Sequence, residues 1–234
     1  MKIRSLKKEK LDDLSLHGAI LYKALQSLAW INKWFGNHRS VIKTVNDICK
    51  NESRPVRITD LGCGGGDLAI ALAKSLQKRK IQFSITGIDG NNNTLLYAQK
   101  KCSSFSEISF IQADILNPGF RVLSCDILMS SHFMYHFTED TLAAFIINNS
   151  PAVSGAFVFS ELNRNRLALY LFKFSSFFLP LSKLAKEDGL LAIKRSFTKN
   201  EWQVILNKAK KDRYHLRHAF LFRLLVTVFP NNKM

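Results

Sequence analysis

Four glycines in five positions, between Gly62 and Gly66 in the stretch "ITDLGCGGGDLAIALA", constrain the fold more than any other feature of this sequence. The run separates a short apolar, strand-like stretch from an amphipathic, helix-like one. Glycine lacks a Cβ atom and adopts positive φ, so such a turn lets a ligand or another backbone approach closely. Gly64, Gly66 and Ala69 also satisfy the dinucleotide fingerprint, so the glycines alone leave the ligand open.

Strand-like and helix-like patterns alternate on both sides of this turn. The strand-like runs are RPVRITDLG, IQFSITGIDG, ISFIQADIL, CDILMSSHFMYHF and SGAFVFSEL, with YHLRHAF and FRLLVTVF near the end of the chain. Strands that alternate with helices favour a parallel, doubly wound sheet. Because such sheets bind ligands beyond the carboxyl ends of their strands, the site is expected at that edge.

Helical segments lie before and within this alternation. Residues 15–49 have helical apolar spacing interrupted at "WFGNHRS", which predicts an N-terminal helical cap over 1–50 ahead of a main domain over 51–234. A phenylalanine-rich insertion after the fifth strand predicts a helical lid over 164–196, and the whole forms effectively one domain. The apolar window 167–183 is shorter than the roughly 20 residues that cross a bilayer.

The chain is strongly basic, with 34 Lys and Arg against 18 Asp and Glu and a formal net charge of +16. Nucleic acid and anionic membrane are the partners that such a charge suggests, although a solvated basic surface accounts for it equally well. Four scattered cysteines and a basic N-terminus without an apolar run predict no disulfides and no secretory signal. We therefore expect a cytoplasmic protein, with the option of peripheral binding at the inner membrane face.

Acidic residues close the first three strand-like runs. Asp60 precedes Gly62 in the pattern D-x-G-x-G-x-G, Asp89 ends the second run, and Asp114 follows the third. A carboxylate accepts two hydrogen bonds from a diol and can also accept one from an exocyclic amino group. Each acid alone is also a common turn residue. A dinucleotide enzyme would use Asp89 but has no use for the other two, so the three acids in order argue against a dinucleotide enzyme.

This pattern resembles the class I S-adenosylmethionine-dependent methyltransferases, most strongly over residues 55–162. The resemblance implies a Rossmann-like, doubly wound α/β sheet of seven strands, mostly parallel, with an antiparallel C-terminal strand. It also implies that S-adenosylmethionine is the cofactor and S-adenosylhomocysteine the product. The first acid and the glycine turn would hold the methionine end, the second acid the ribose and the third the adenine. The implied cofactor-binding residues are Asp60, Gly62, Cys63, Gly64, Gly66, Asp89, Gly90, Asp114, Ile115, Ser130 and, after the cap helices, Arg39.

Further stretches, among them "INKWFGNHRSVIKTV", "MSSHFMYHF" and "RSFTKNEW", resemble small bacterial methyltransferases associated with polyketide, phenolic lipid or pigment biosynthesis. These are distantly related to the quinone-pathway methyltransferases. The resemblance implies secondary metabolism and a small lipophilic, aromatic or polyketide-like acceptor methylated on oxygen or carbon. Two alternatives stay open: a nucleic-acid methyltransferase, which the charge suggests, and a donor-binding protein without catalysis.

The loop "SSHFMYHF" after the fourth strand holds the candidate catalytic residues. His136 is the first choice as general base for a hydroxyl acceptor, with His132 and Tyr135 as pocket residues. The two histidines are four residues apart, a spacing that could bind a metal on a helix. Because no carboxylate partner is evident in the sequence, we predict no metal site.

Overall fold

A seven-stranded sheet forms the centre of the computed structural model, which describes Met1 and residues 3–230. The strands are β1 (Val56–Leu61), β2 (Phe83–Asp89), β3 (Ile108–Gln112), β4 (Cys125–Ser131), β5 (Val153–Leu162), β6 (Tyr214–Ala219) and β7 (Arg223–Val228). Their order is β3-β2-β1-β4-β5-β7-β6. Strands β1 to β5 pair in parallel, whereas β7 is antiparallel to both β5 and β6. The predicted α/β fold, with its antiparallel C-terminal strand, is confirmed.

Five of the eight α-helices begin at residues that favour helix starts. They are α1 (Gly18–Trp34), α2 (Arg39–Cys49), α3 (Asp67–Lys78), α4 (Asn92–Lys101), α5 (Glu139–Asn149), α6 (Arg166–Phe178), α7 (Lys183–Arg195) and α8 (Lys199–Lys208). Side chains of Asn91, Thr138, Asn165, Ser182 and Thr198 accept hydrogen bonds from the first-turn amides of α4 to α8. Helices α1 and α2 fall in the predicted cap, and α6 and α7 fall in the predicted lid.

Two apolar layers cover the sheet. On one face, Trp202 of α8 stacks on Phe159 of β5 with ring centroids 6.0 Å apart, and both side chains are fully buried. On the other face, α2 and α3 bury Val45 and Leu72 against Ile58 of β1. Strands covered on both faces carry nearly continuous apolar runs, as β4 does. The sheet is therefore a rigid base that fixes the carboxyl ends of β1, β2 and β4 along one edge.

The residues before α1 cross that edge as a segment that we call the N-terminal strap (residues 3–16) and that is interrupted by a short 3₁₀ helix at Lys10–Asp12. Arg4 donates to the backbone carbonyls of Tyr135 and Phe137, beyond β4. At the other end, Asn91 Nδ2 donates to the carbonyl of Leu16 at 3.0 Å, beyond β2. The strap is thus attached on both sides of the site at which the sequence predicts ligand binding.

Candidate functional site

One cavity of about 770 Å³ lies over the carboxyl ends of β1, β2 and β4. Its volume falls within the roughly 300–1,000 Å³ typical of small-molecule sites. One end is formed by the glycine turn and strand-end acids, and the other by apolar side chains of α1, α6 and α7. The lining includes Asp60, Gly62, Cys63, Gly64, Asp89, Gly90, Asp114, Ile115, His132, Tyr135 and His136, so most of the predicted site residues share one cavity.

The glycines of the turn have different roles. Gly62, Gly64 and Gly66 all adopt positive φ, at +63°, +51° and +74°. A Cβ on Gly62 would lie 2.5 Å from the ring of Phe133, and one on Gly66 would lie 2.8 Å from the sulfur of Cys102. A Cβ on Gly64 would meet nothing within 4 Å, because that position opens into the cavity. Gly66 caps α3 outside the cavity lining, so Gly64 is the position where a ligand can approach the backbone.

Replacing Gly64 by alanine is expected to lower the free energy of unfolding by about 1–2 kcal/mol, since the residue keeps a left-handed backbone without any steric clash. The added methyl group also projects into the space proposed for the donor, so donor affinity should fall as well. Thermal unfolding and donor titration measure the two effects. Gly119→Ala is the matched control, because Gly119 is exposed, its φ is not positive, and its Cβ would meet only the Asn117 Oδ1 atom, at 3.2 Å. Unchanged donor affinity in Gly64→Ala would contradict a ligand-binding turn.

Asp60 is buried without a hydrogen-bond partner for its Oδ2 atom among the described residues. Burial raises the pKa of Asp60 well above its usual value, and the carboxylates of Asp67 and Asp89 raise it further. An unpaired carboxyl group in such a place is costly unless a ligand pairs with it. The position therefore fits a cationic group, such as the ammonium of an amino acid.

Asp89 ends β2 with both carboxylate oxygens directed at backbone amides. Oδ2 accepts from Gly64 N–H at 3.1 Å and Oδ1 from Asn91 N–H at 3.0 Å. Burial raises the pKa of Asp89, while these amides oppose the rise. Each oxygen retains a second lone pair for a ligand hydroxyl. The Asp89 carboxylate thus holds the glycine turn and faces the cavity beside Gly90.

Asp114 lies at the exposed rim of the cavity, and its Oδ1 atom accepts from Leu116 N–H at 3.0 Å. The neighbouring Ile115 is buried and lines the cavity. Asp60, Asp89 and Asp114 therefore face one elongated space from three successive strand ends. These three acceptor groups fit a ligand with an amino acid end, a diol and an aminated base.

Besides Gly66, two predicted cofactor contacts, Ser130 and Arg39, do not reach the cavity. Ser130 donates to the carbonyl of Leu61 at 3.0 Å, and because side chains alternate along a strand, Ser131 lines the cavity instead. Arg39 begins α2 with an exposed side chain outside the lining. The preceding His38 lines the cavity, with its Nε2 atom 3.5 Å from Asp67 Oδ2. The cap is therefore joined to the glycine turn through His38.

His136 lies in a 3₁₀ turn before α5, with its Nδ1 atom between two charged groups. Asp12 Oδ1 is 3.2 Å away and Arg195 Nη2 is 3.1 Å away. Only one of these contacts can be a hydrogen bond in a given tautomer of the neutral ring. When Nδ1 carries the proton, it donates to Asp12 and Nε2 is free to accept. When Nε2 carries the proton, Nδ1 accepts from Arg195. Burial lowers the pKa of His136 to about 4, so the ring is neutral at pH 7.

The side chains of His132 and Tyr135 each contact a charged residue of the protein. His132 has a left-handed backbone with φ +62°, and its Nε2 atom contacts Arg223 Nη1. Because arginine only donates, Nε2 is the acceptor and the neutral ring carries its proton on Nδ1. Burial and the Arg223 charge hold the pKa of His132 well below its usual value. Tyr135 donates its hydroxyl hydrogen to Glu9 Oε2 at 3.2 Å, toward the strap.

Arg195, at the end of α7, joins the strap, the lid and the loop after β4. Its Nη1 atom donates to Glu9 Oε1 at 3.2 Å and to Asp12 Oδ2 at 2.8 Å, while Nη2 lies near His136. Over the described ranges, Glu9, Asp12 and His136 form a group whose ligand atoms lie within 4.8 Å of one another, as in a metal site. The Arg195 guanidinium contacts all three, so a protein cation already lies among these groups.

Sequence reasoning missed this network because its members are far apart in the chain. Glu9 and Arg195 are separated by 186 positions, and neither lies in a periodic pattern that indicates a site. Arg195 has the features of an ordinary positive charge at a helix C-terminus. Arg223 offered a clearer signal, since it is a charged residue in an otherwise apolar strand pattern.

Comparison with known proteins places residues 58–149 in the family described as "Methyltransferase domain". A Bacillus subtilis (strain 168) protein, YqeM, whose name carries a provisional methyltransferase assignment, is 42% identical over 59 residues, which are 25% of this chain and 22% of that protein. A similarly named Geobacillus protein is 34% identical over 85 residues, 36% of this chain and 32% of that one. The matches thus cover about a fifth to a third of these relatives' length.

Solved structures share the fold over most of the chain. The plantazolicin methyltransferase BpumL in complex with SAH superposes with a TM-score of 0.65 at 16% identity, covering 90% of this chain and 95% of that one. The CMeT domain of the citrinin polyketide synthase gives a TM-score of 0.63 at 13% identity, covering 84% of this chain and 52% of that one. At these identities the likeness establishes the architecture.

Proposed function

We propose that this chain, whose residues 58–149 match a methyltransferase domain and whose fold is shared by solved methyltransferases, transfers a methyl group to a small lipophilic acceptor. S-adenosylmethionine would supply the methyl group as an activated sulfonium. The observation that carries the proposal is a single cavity that joins the glycine turn and three strand-end acids to an apolar lid. A polar donor and an apolar acceptor would then meet in one enclosed space, with S-adenosylhomocysteine as the product.

The donor would lie along the strand ends. Asp60 would pair with the ammonium group, Gly64 would let the methionine end approach the backbone, and Asp89 would accept from the ribose hydroxyls. Asp114, at the rim, would meet the adenine amino group. The orphaned Oδ2 atom of Asp60 and the open space beside Gly64 support this assignment.

The acceptor would lie against the apolar half of the cavity, where Leu28 and Ile31 of α1 face Leu171 and Phe172 of α6. Such a surface suits an aromatic or polyketide-like molecule, methylated on oxygen or carbon. The citrinin synthase CMeT domain and the plantazolicin methyltransferase, which share the fold, are consistent with an acceptor of secondary metabolism. Methyl transfer requires alignment of the reacting atoms and exclusion of water, which the strap and the lid can provide.

A methyl-labelled donor incubated with a panel of phenols, enols and polyketide thioesters tests this function by mass spectrometry of the products. The expected result is labelling of lipophilic acceptors and not of RNA or DNA included in the panel. Labelled nucleic acid would favour the nucleic-acid alternative. Donor binding without any labelled product would favour a donor-binding protein, and absence of donor binding would overturn the proposal.

Binding of S-adenosylmethionine is expected to release a proton from Asp60. Burial raises the pKa of this carboxyl group well above its usual value in the free protein, and the ammonium group of a bound donor would lower that pKa again. Because the bound state holds fewer protons, donor affinity should rise as pH rises. Calorimetric titration in two buffers of different ionisation enthalpy at one pH measures the released protons.

Asp60→Asn is expected to bind without this release, and Asp47→Asn, an exposed site on α2, is the matched control. The amino group of the ligand titrates in every variant, so the difference between wild type and Asp60→Asn isolates the carboxyl group. Equal proton release in both would contradict the assignment of Asp60 to the ammonium end.

A further inference from the structure

Helix α6 presents its large apolar side chains to solvent. Their spacing of three and four residues places them along one side of the helix. We call these residues the α6 stripe, and their exposed fractions range from 49% to 81%. They are Leu167, Tyr170, Leu171, Phe174, Phe177 and Phe178. Single exposed apolar residues are common, but a continuous stripe on one helix marks an interaction surface.

The buried side of α6 carries smaller groups. Ala168 and Ser176 are its buried residues, and the Ser176 hydroxyl donates to the carbonyl of Lys173 at 2.9 Å. Phe172 is the large side chain directed inward, where it packs closely against Gly189 of α7. A surface helix normally turns its apolar side to the core, so α6 has the reverse arrangement. Packing of the protein interior therefore does not explain the α6 stripe.

The charged residues along α6 and the segment that follows it are all basic. Between Glu161 and Glu187 the sequence contains no acidic residue. Arg166, Lys173 and Lys183 are exposed in this interval. An apolar stripe with basic residues beside it is the pattern of helices that lie in the interface of an anionic membrane.

We propose that the α6 stripe docks onto an anionic lipid surface, with α6 lying in the plane of the interface. The helix has 13 residues, fewer than the roughly 20 that cross a bilayer. Across Met1 and residues 3–230, no helix combines the length and apolar character that a membrane crossing requires. A shallow, salt-dependent association is therefore the form of binding that this geometry supports.

A second copy of the chain is a poorer occupant of this surface. Two copies that met through their α6 stripes would bring together Arg166, Lys173 and Lys183 of both, within a net charge of +16 for each chain. Like charges across an interface oppose association, whereas anionic headgroups would neutralise them.

The α6 stripe is continuous with the cavity. Leu171 and Phe174 belong to both, since they line the apolar end of the cavity and are also 49% and 70% exposed. A docked helix would therefore place the cavity opening at the lipid surface. A lipophilic acceptor could then enter the cavity without crossing water. This consequence rests on the proposed function, whereas docking of α6 does not depend on it.

Co-sedimentation of the full chain with vesicles tests the proposal in the absence of donor and acceptor. We expect binding to vesicles of phosphatidylglycerol and phosphatidylcholine at low salt, with weaker binding at high salt and on phosphatidylcholine alone. The double variant Phe177→Gln, Phe178→Gln should bind about tenfold more weakly. Neither residue lines the cavity, so donor affinity should be unchanged and shows that the variant is folded.

The matched control is Leu96→Gln, Ile147→Gln, which removes two exposed apolar side chains on α4 and α5 and should bind vesicles as the wild type does. Equal loss of binding in both double variants would overturn the assignment to α6. Absence of wild-type binding to anionic vesicles at low salt would also overturn it. Sedimentation velocity tests self-association. If the wild type is a dimer and the Phe177→Gln, Phe178→Gln variant is a monomer, the α6 stripe is a self-association surface and the lipid proposal is wrong.

Discussion

Replacing Asp89 by alanine is expected to weaken binding of S-adenosylmethionine by about 10- to 150-fold, which corresponds to the loss of a charge-assisted pair of hydrogen bonds. The carboxylate also accepts from the amides of Gly64 and Asn91, so its removal releases the glycine turn as well. Both effects act on the donor, and neither involves the apolar end of the cavity. Calorimetric titration of the donor measures the loss directly.

Two further variants make this test specific. Asp89→Asn keeps one carbonyl oxygen for a backbone amide and should show an intermediate affinity. Asp47→Ala removes one negative charge from the exposed face of α2 and should leave donor affinity unchanged. If wild type binds NAD and not S-adenosylmethionine, the donor assignment is wrong, whatever the Asp89 variants do.

The sheet could be predicted from the sequence because each strand is indicated by a short stretch of neighbouring residues. Each strand-like run is apolar over a few residues and lies between turn or helix signals, so order and direction follow from the alternation. Boundaries were less accurate, since the third strand ends at Gln112, before the predicted end. Beyond it, the Asp114 side chain accepts from Leu116 N–H, so the chain turns locally instead of continuing the strand.

Only part of the candidate site could be predicted from local sequence patterns. Asp60, Asp89 and the glycine turn lie at strand ends and could be found from spacing alone. The strap and its contacts could not, since Arg4, Glu9 and Asp12 bond to residues more than 100 positions away. The sequence predicts a phenylalanine-rich lid over 164–196, but it does not reveal that Phe177 and Phe178 face solvent. Periodicity places side chains on one face of a helix without telling which face is covered.

His136→Ala is expected to lower turnover by about 100-fold with a hydroxyl acceptor, while donor affinity stays near that of wild type. General bases contribute roughly 100- to 10,000-fold, and a pKa of about 4 favours the lower end because such an imidazole is a weak base. The sequence alone predicts an inflection near pH 6 to 7 for an unperturbed histidine. Burial moves the expected inflection to about pH 4, with activity rising as His136 loses its proton.

Arg195→Met tests whether His136 acts as a base or only packs against its neighbours. The Arg195 charge lowers the pKa of His136 and the Asp12 carboxylate raises it, so removal of Arg195 should move the inflection to higher pH. It also removes the donor that competes for Nδ1, leaving Asp12 to hold the tautomer in which Nε2 accepts a proton. A structural role for His136 would not shift the inflection.

Whether His136 is needed as a general base depends on the kind of atom that is methylated. A phenol or enol must lose its proton near neutral pH, whereas a carbanion or a pre-ionised acceptor needs only alignment. His136→Ala with full turnover on the true acceptor would therefore exclude the general-base role. Rate enhancement would then depend on positioning by Tyr135, held by its bond to Glu9, and on the apolar lid, where Phe172 packs against Gly189. In that case Gly189→Ala, which forces the Phe172 ring out of place, should lower turnover more than His136→Ala does.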